Sequence, residues 1–179
     1  MKKLLLAVTA FSLFSIGVHA QAQSKQGSFT FGAGLNLALP TGEFGDGYSF
    51  GIGGQVQAEY MLADNISGIA SVGYTSFSGK TIDGFKDPSA SLIPILVGGR
   101  FYPAEQFFVG VQIGVGLYHV SAADGFPGGN TSGFDYYPQV GYNAGPMQFT
   151  LGYNGVSVTG GNLSHLGLSV IYRFGAGGD

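Results

Sequence analysis

The chain has 179 residues, with 33 glycines, no cysteine and only 9% charged residues, against roughly 25% in ordinary soluble domains. The lack of cysteine excludes a disulfide framework, a thiolate metal site, a cysteine nucleophile and a lipidated-cysteine tether. Beyond Lys2 and Lys3, five basic residues face ten acidic ones, which excludes the basic footprint of nucleic-acid binding.

Residues 1–20 read as a signal peptide. Lys2 and Lys3 precede the apolar run Leu4–Gly17, and Val18-His19-Ala20 places small residues where a signal peptidase reads them. The run is too short for a spanning helix, and no later run is long enough. Cleavage after Ala20 leaves an N-terminal periplasmic segment, residues 21–27. The folded domain is then expected over 28–174, with a C-terminal tail at 175–179.

From Ser28 onward the dominant signal is alternation with period two, the mark of strands. Eight strands are predicted: Ser28–Leu39, Phe50–Leu62, Ile66–Ser78, Leu92–Tyr102, Phe107–Val120, Asp135–Ala144, Met147–Gly155 and Leu163–Phe174. The fifth is the clearest. Phe107, Val109, Val111, Ile113, Val115 and Leu117 form one row, and Gly110, Gln112, Gly114 and Gly116 the other. Six apolar residues break the pattern: Ile69, Phe77, Phe108, Tyr118, Tyr137 and Ile171. Pro94 and Pro138 lie inside strands, where a missing N–H demands a bulge or an edge. These irregularities predict one-residue register errors in the third and sixth strands.

The connections alternate in length. Residues 63–65, 103–106 and 145–146 are tight turns, whereas 40–49, 79–91, 121–134 and 156–162 are longer loops. Short turns at one end and long loops at the other are the plan of an outer-membrane barrel, with both termini periplasmic. The polar row decides between a lipid-embedded and a soluble barrel. A row facing bulk water would hold Lys, Glu and Asp. Here it holds Gly, Ser, Thr, Gln and Asn, with Glu59, Arg100 and Arg173 the clear exceptions within strands. Small uncharged residues suit a narrow lumen, and the apolar row suits lipid. Tyr60, Tyr74, Phe101, Tyr102, Phe107, Tyr136, Tyr172 and Phe174 are expected in interfacial girdles. The predicted fold is all-β, an eight-stranded antiparallel transmembrane β-barrel.

The stretch Leu96–Pro103 followed by Phe107–Tyr118 resembles the short-turn hairpin of small OmpA/OmpX-type barrels. It is most similar to the outer membrane protein beta-barrel domain family common in Bacteroidetes-type bacteria. Val170-Ile-Tyr-Arg-Phe174 resembles the aromatic-terminated signal read by the barrel assembly machinery, although Gly175–Asp179 follows it here. The resemblance spans roughly residues 27–174. It implies a non-enzymatic outer-membrane protein whose partners are outer-membrane lipid, lipopolysaccharide and, during insertion, that machinery. Other outer-membrane proteins are further candidate partners, should the barrel be a subunit of a larger complex.

Three sets of residues are candidates for chemistry. Glu59, Arg100 and Arg173 share the inward parity near the periplasmic ends of their strands, and converging buried charges pair because an unpaired one is costly. They read as a salt-bridged plug, with a gate or proton path as the alternative. His119 and Ser121 resemble the His-x-Ser element of outer-membrane lipid A deacylases, in which histidine activates serine. Ala122 stands where that family has asparagine, Asp124 lies in a loop, and Asp135 has the opposite parity. They therefore read as an interfacial histidine and a loop serine, with catalysis as the alternative. His165 reads as a hydrogen-bonded lumen residue. No metal site or cofactor is indicated. Eight strands enclose side chains rather than an aqueous channel. The remaining alternative is a narrow transporter of small hydrophobic molecules, with a lateral opening at Pro138.

Overall fold

Alternating sequences with a long apolar row cannot leave sheet edges open in lipid, where an unpaired backbone group has no water to bond, so the sheet must close. The computed structural model describes residues 26–82, 85–86, 88–122, 128–159 and 161–176; the expected signal peptide lies outside them. The elements in order are β1 (Phe29–Thr41), α1 (Glu43–Gly47), β2 (Tyr48–Ala63), β3 (Ile66–Gly79), β4 (Thr81–Ile82), β5 (Phe85–Lys86), β6 (Ala90–Ala104), β7 (Phe107–Val120), β8 (Gly129–Ala144), β9 (Met147–Val158) and β10 (Gly161–Ala176). Eight of the strands form a closed barrel in the order β1-β10-β9-β8-β7-β6-β3-β2, and β4 and β5 make a separate two-stranded hairpin. Closure is antiparallel, from Phe29 opposite Ala176 to Thr41 opposite Ser164.

The wall is inside-out relative to a soluble barrel. Leu35 is 66% exposed and Val97 58%, while Gln148 and Ser67 are fully buried. Apolar side chains on the outside and amides on the inside suit a solvent of lipid tails, so a lipocalin-like arrangement is excluded.

The six residues that break the alternation are not errors of register. Ile69, Phe77, Phe108, Tyr118, Tyr137 and Ile171 all point inward and are buried. Alternation held in the third and sixth predicted strands, and the expected register errors are not found. The lumen needs volume as well as polarity, and glycine on the neighbouring strand makes the room. A Cβ at Gly141 would come within 2.2 Å of the Phe108 ring, one at Gly51 within 2.6 Å of Phe77, and one at Gly152 within 2.4 Å of Tyr137. The high glycine content is thus a set of holes for large inward side chains.

The prolines interrupt pairing without shifting it. The β3–β6 ladder passes from Val72↔Ile95 to Thr75↔Leu92 across Pro94. The β8–β9 ladder passes from Tyr136↔Gly155 to Gln139↔Gly152 across Pro138. Each gap spans two pairs with the same register on both sides. The inward side of the Pro138 gap is filled by buried Tyr137.

The turn end is tight, with Gly145 at φ 61° in the β8–β9 turn. The strands run further than expected in three places, two at the loop end and one at the turn end. Val158 pairs with Gly161, so β9 and β10 are joined by residues 159–160 rather than by a seven-residue loop. Gly129–Phe134 extend β8 along β7, so the strand begins at Gly129 rather than at Asp135. Gly175 and Ala176 pair with Thr30 and Phe29, so β10 runs two residues past the expected end. In each case antiparallel neighbours satisfy more backbone groups by continuing the ladder than by leaving them in a loop.

Candidate functional site: the lumen

At the turn end of the lumen, β2 and β6 bring Glu59 and Arg100 together. Arg100 Nη1 lies 3.0 Å from Glu59 Oε2, and both side chains are buried. The other carboxylate oxygen, Oε1, accepts Ser67 Oγ at 2.5 Å and the Tyr102 hydroxyl. The guanidinium also donates to Gln148 Oε1 at 3.3 Å, Gln57 Oε1 at 3.3 Å and Gln139 Oε1 at 3.2 Å. Gln57 Nε2 donates to Gln148 Oε1 at 2.9 Å, and Gln148 Nε2 to Asn143 Oδ1 at 2.9 Å. The guanidinium carbon lies 4.2 Å from the centre of the Phe108 ring, and Met61, Tyr102 and Phe108 form an apolar cluster beside it. Residues of β2, β3, β6, β7, β8 and β9 therefore meet around one ion pair.

Arg173 is only partly buried and makes no ion pair among the described residues; its charge acts on Glu59 without contact. Tyr102, expected in the outer girdle, turns inward to Glu59. The glutamines were not singled out in the sequence. Gln57, Gln139 and Gln148 share the inward parity near the same ends of their strands as the charges, and that signal could have found them.

The loop end is closed differently. Gly42, at φ 59°, turns the chain out of β1 into α1, which carries Phe44 into the barrel mouth. The Phe44 ring centre is 5.0 Å from that of Phe77 and 5.9 Å from that of Tyr118, both edge-on. Lys80 Nζ donates to the Gly45 carbonyl and holds the helix down. Ala38, Ala90, Leu92 and Val156 complete the apolar cluster.

Between the two closures the lumen is polar. Ser71 Oγ donates to Gln112 Oε1 at 2.8 Å, and Asn154 Nδ2 to Asp135 Oδ1 at 2.6 Å. Asn154 stands opposite His165 across the β9–β10 ladder. His165 is buried and meets the Phe77 ring edge-on at 5.4 Å. A cavity of about 40 Å³ is lined by Asn36, Gln55, Ser71, Tyr137, Asn154 and His165, among others.

His119 and Ser121 are not brought together. His119 is exposed on the outer face, and its Nδ1 lies 2.6 Å from Asn130 Oδ1. The Ser121 backbone N–H donates to the Ser89 carbonyl at 2.9 Å. Among the described residues no hydrogen bond joins the histidine to the serine, and Asp135 lies inside the wall.

Similar solved structures support the same architecture. Ail, the attachment invasion locus protein of Yersinia pestis, is 15% identical, with 83% of this chain and 99% of that one covered and a TM-score of 0.62. The N-terminal β-barrel domain of Pseudomonas aeruginosa OprF is 14% identical over 83% of this chain and 98% of that one, at 0.59. Neisserial surface protein A is 17% identical over 81% and 95%, at 0.56. A comparison with curated protein sequences finds no match. The model of the outer membrane protein beta-barrel domain matches residues 5–174, nearly the whole chain, and with its closed, lipid-facing wall the protein belongs to that outer-membrane family.

Proposed function

We propose that this is a non-enzymatic barrel whose lumen is plugged by its own side chains and whose loops carry any recognition at the cell surface. The observation that carries this reading is closure at two levels, by the Glu59–Arg100 network and by Phe44. A diffusion pore needs a continuous polar path, and the two closures stand across it in series. The turn end, with both termini, faces the periplasm, and the loop end faces outward, in keeping with the usual asymmetry of such barrels. Val170–Phe174 would serve as the signal for the barrel assembly machinery, and Met1–Ala20 as the export signal. The apolar wall would contact outer-membrane lipid and lipopolysaccharide, and could also seat a further outer-membrane protein.

Recognition would fall to the mouth, where a cleft of about 300 Å³ is lined by Glu43, Tyr48, Tyr118, Thr159 and Asn162, among others. A solved complex of Ail holds the heparin analogue sucrose octasulfate. The mouth here exposes Glu43 and Asp46, so a neutral or cationic ligand fits it better than a polyanion.

The test is conductance in planar bilayers. The protein should carry no sustained current. Glu59→Gln should unfold at a lower temperature and remain closed, whereas a stable, leaky Glu59→Gln would overturn the plug. Mass spectrometry of lipid A from cells with and without the protein should give identical species; a lost acyl chain would restore the deacylase reading of His119 and Ser121.

A further inference from the structure

The buried polar atoms of the lumen that lack a hydrogen-bond partner divide by depth. Towards the loop end they are acceptors: Asn36 Oδ1, Asp135 Oδ2, Asn154 Oδ1, and His165 Nδ1 in the tautomer that carries its hydrogen on Nε2. Towards the turn end they are donors, Arg100 Nε, Gln139 Nε2 and Arg173 Nε, with the hydroxyls of Ser28 and Thr150 able to act either way. Charge divides in the same direction. The turn-end half pairs one carboxylate, Glu59, with Arg100 and adds Arg173. In the loop-end half, Asp135 is fully buried and, among the described residues, has only the Asn154 amide as a hydrogen-bond partner. Lys80, at the mouth, donates to the Gly45 carbonyl instead.

We infer that the loop-end half of the lumen binds one small monovalent cation, of ammonium or potassium size. Asn36, Asn154 and His165, which line the cavity, would hold it, and Asp135 would balance its charge through Asn154. The small size follows from the cavity of about 40 Å³, since one water needs about 10–15 Å³ on the same measure and a cavity of about 150 Å³ takes benzene. The single charge follows from the single carboxylate. Calcium takes about 6–8 oxygen ligands, usually with several carboxylates, and magnesium demands a full octahedron. The orientation of buried Asn154 is set by its donation to Asp135, which leaves its carbonyl oxygen for the cavity. The positive Arg100 and Arg173 stop the ion from passing further, so the site is occupied rather than conducting. The inference goes beyond the loop-recognition reading and does not depend on it.

Thallium(I) is the probe, because it has the charge and size of potassium and scatters anomalously. Crystals of the folded mature protein soaked in a thallium salt should show an anomalous peak in the cavity between Asn36, Asn154 and His165. In detergent solution the protein should melt about 3 °C higher in thallium or ammonium salt at ten times Kd than in choline salt of equal ionic strength. Asp135→Asn keeps the shape and removes the charge, and should lose both the peak and the shift. If that variant does not refold, Asn36→Leu removes one ligand from the cavity wall and should weaken both. A cavity holding water alone, with equal melting in all three salts, would overturn the inference, as would an Asp135→Asn protein that keeps the full shift.

Discussion

The two ends of the lumen are closed by opposite chemistry. At the turn end, a buried ion pair is held by amides and hydroxyls from strands all around the barrel. At the loop end, a five-residue helix inserts one aromatic ring into an apolar cluster. The first closure belongs to the wall, so it cannot open without disturbing strands that hold the barrel together. The second belongs to a connection, pinned by packing and by Lys80, and can open while the wall stays shut. Stability should therefore reside at the turn end and local motion at the loop end.

The largest effect should come from Arg100→Met. It leaves Glu59 buried without its cation, and removing one partner of a buried pair costs about 3–5 kcal/mol. The measurement is urea or heat unfolding, read by the folded and unfolded bands on an unboiled gel. Replacing both members, with Glu59→Leu added, should recover most of the loss, because no orphan charge remains. A double variant no better than the single one would show that the surrounding amides, not the charge pair, set the stability. Phe44→Ala should cost less, about 1–2 kcal/mol of global stability, because α1 opens apart from the wall. Hydrogen exchange should accelerate in Gly42–Tyr48 and leave β2 and β6 near Glu59 and Arg100 unchanged. Exchange that rose equally at both ends would break the contrast. The smallest effect belongs to His119→Ala, outside the lumen and exposed, which should stay within about 0.5 kcal/mol of the parent.

Much of the fold was legible in the alternation. Period two assigns each residue to a face, and the charge-poor polar row identifies that face as a lumen. Glu59 and Arg100 were legible as a pair for the same reason: equal parity and equal depth. Arg173 shared both and still makes no ion pair among the described residues: Arg100 takes one oxygen of Glu59, and Ser67 and Tyr102 take the other. Tyr102 has the inward parity of Arg100, so the alternation already pointed it into the lumen; its expected place in the girdle followed from its position at a strand end instead. Phe44 was hidden in a loop, where no period operates. Asp135 was given its face, but its isolation from any cation depends on what the other strands bring to its level.

By itself the sequence determined the wall: eight strands, their faces, and which end has tight turns. These follow from local geometry, because a strand's side chains alternate whatever it pairs with. Only the tertiary structure decided what fills the lumen. Ile69, Phe77, Phe108, Tyr118, Tyr137 and Ile171 look like faults along the chain and become the packing once glycines on neighbouring strands are seen beneath three of them. Whether a large residue fits inside a narrow barrel depends on the volume left by residues far away in sequence, and only closure of the sheet brings those volumes together.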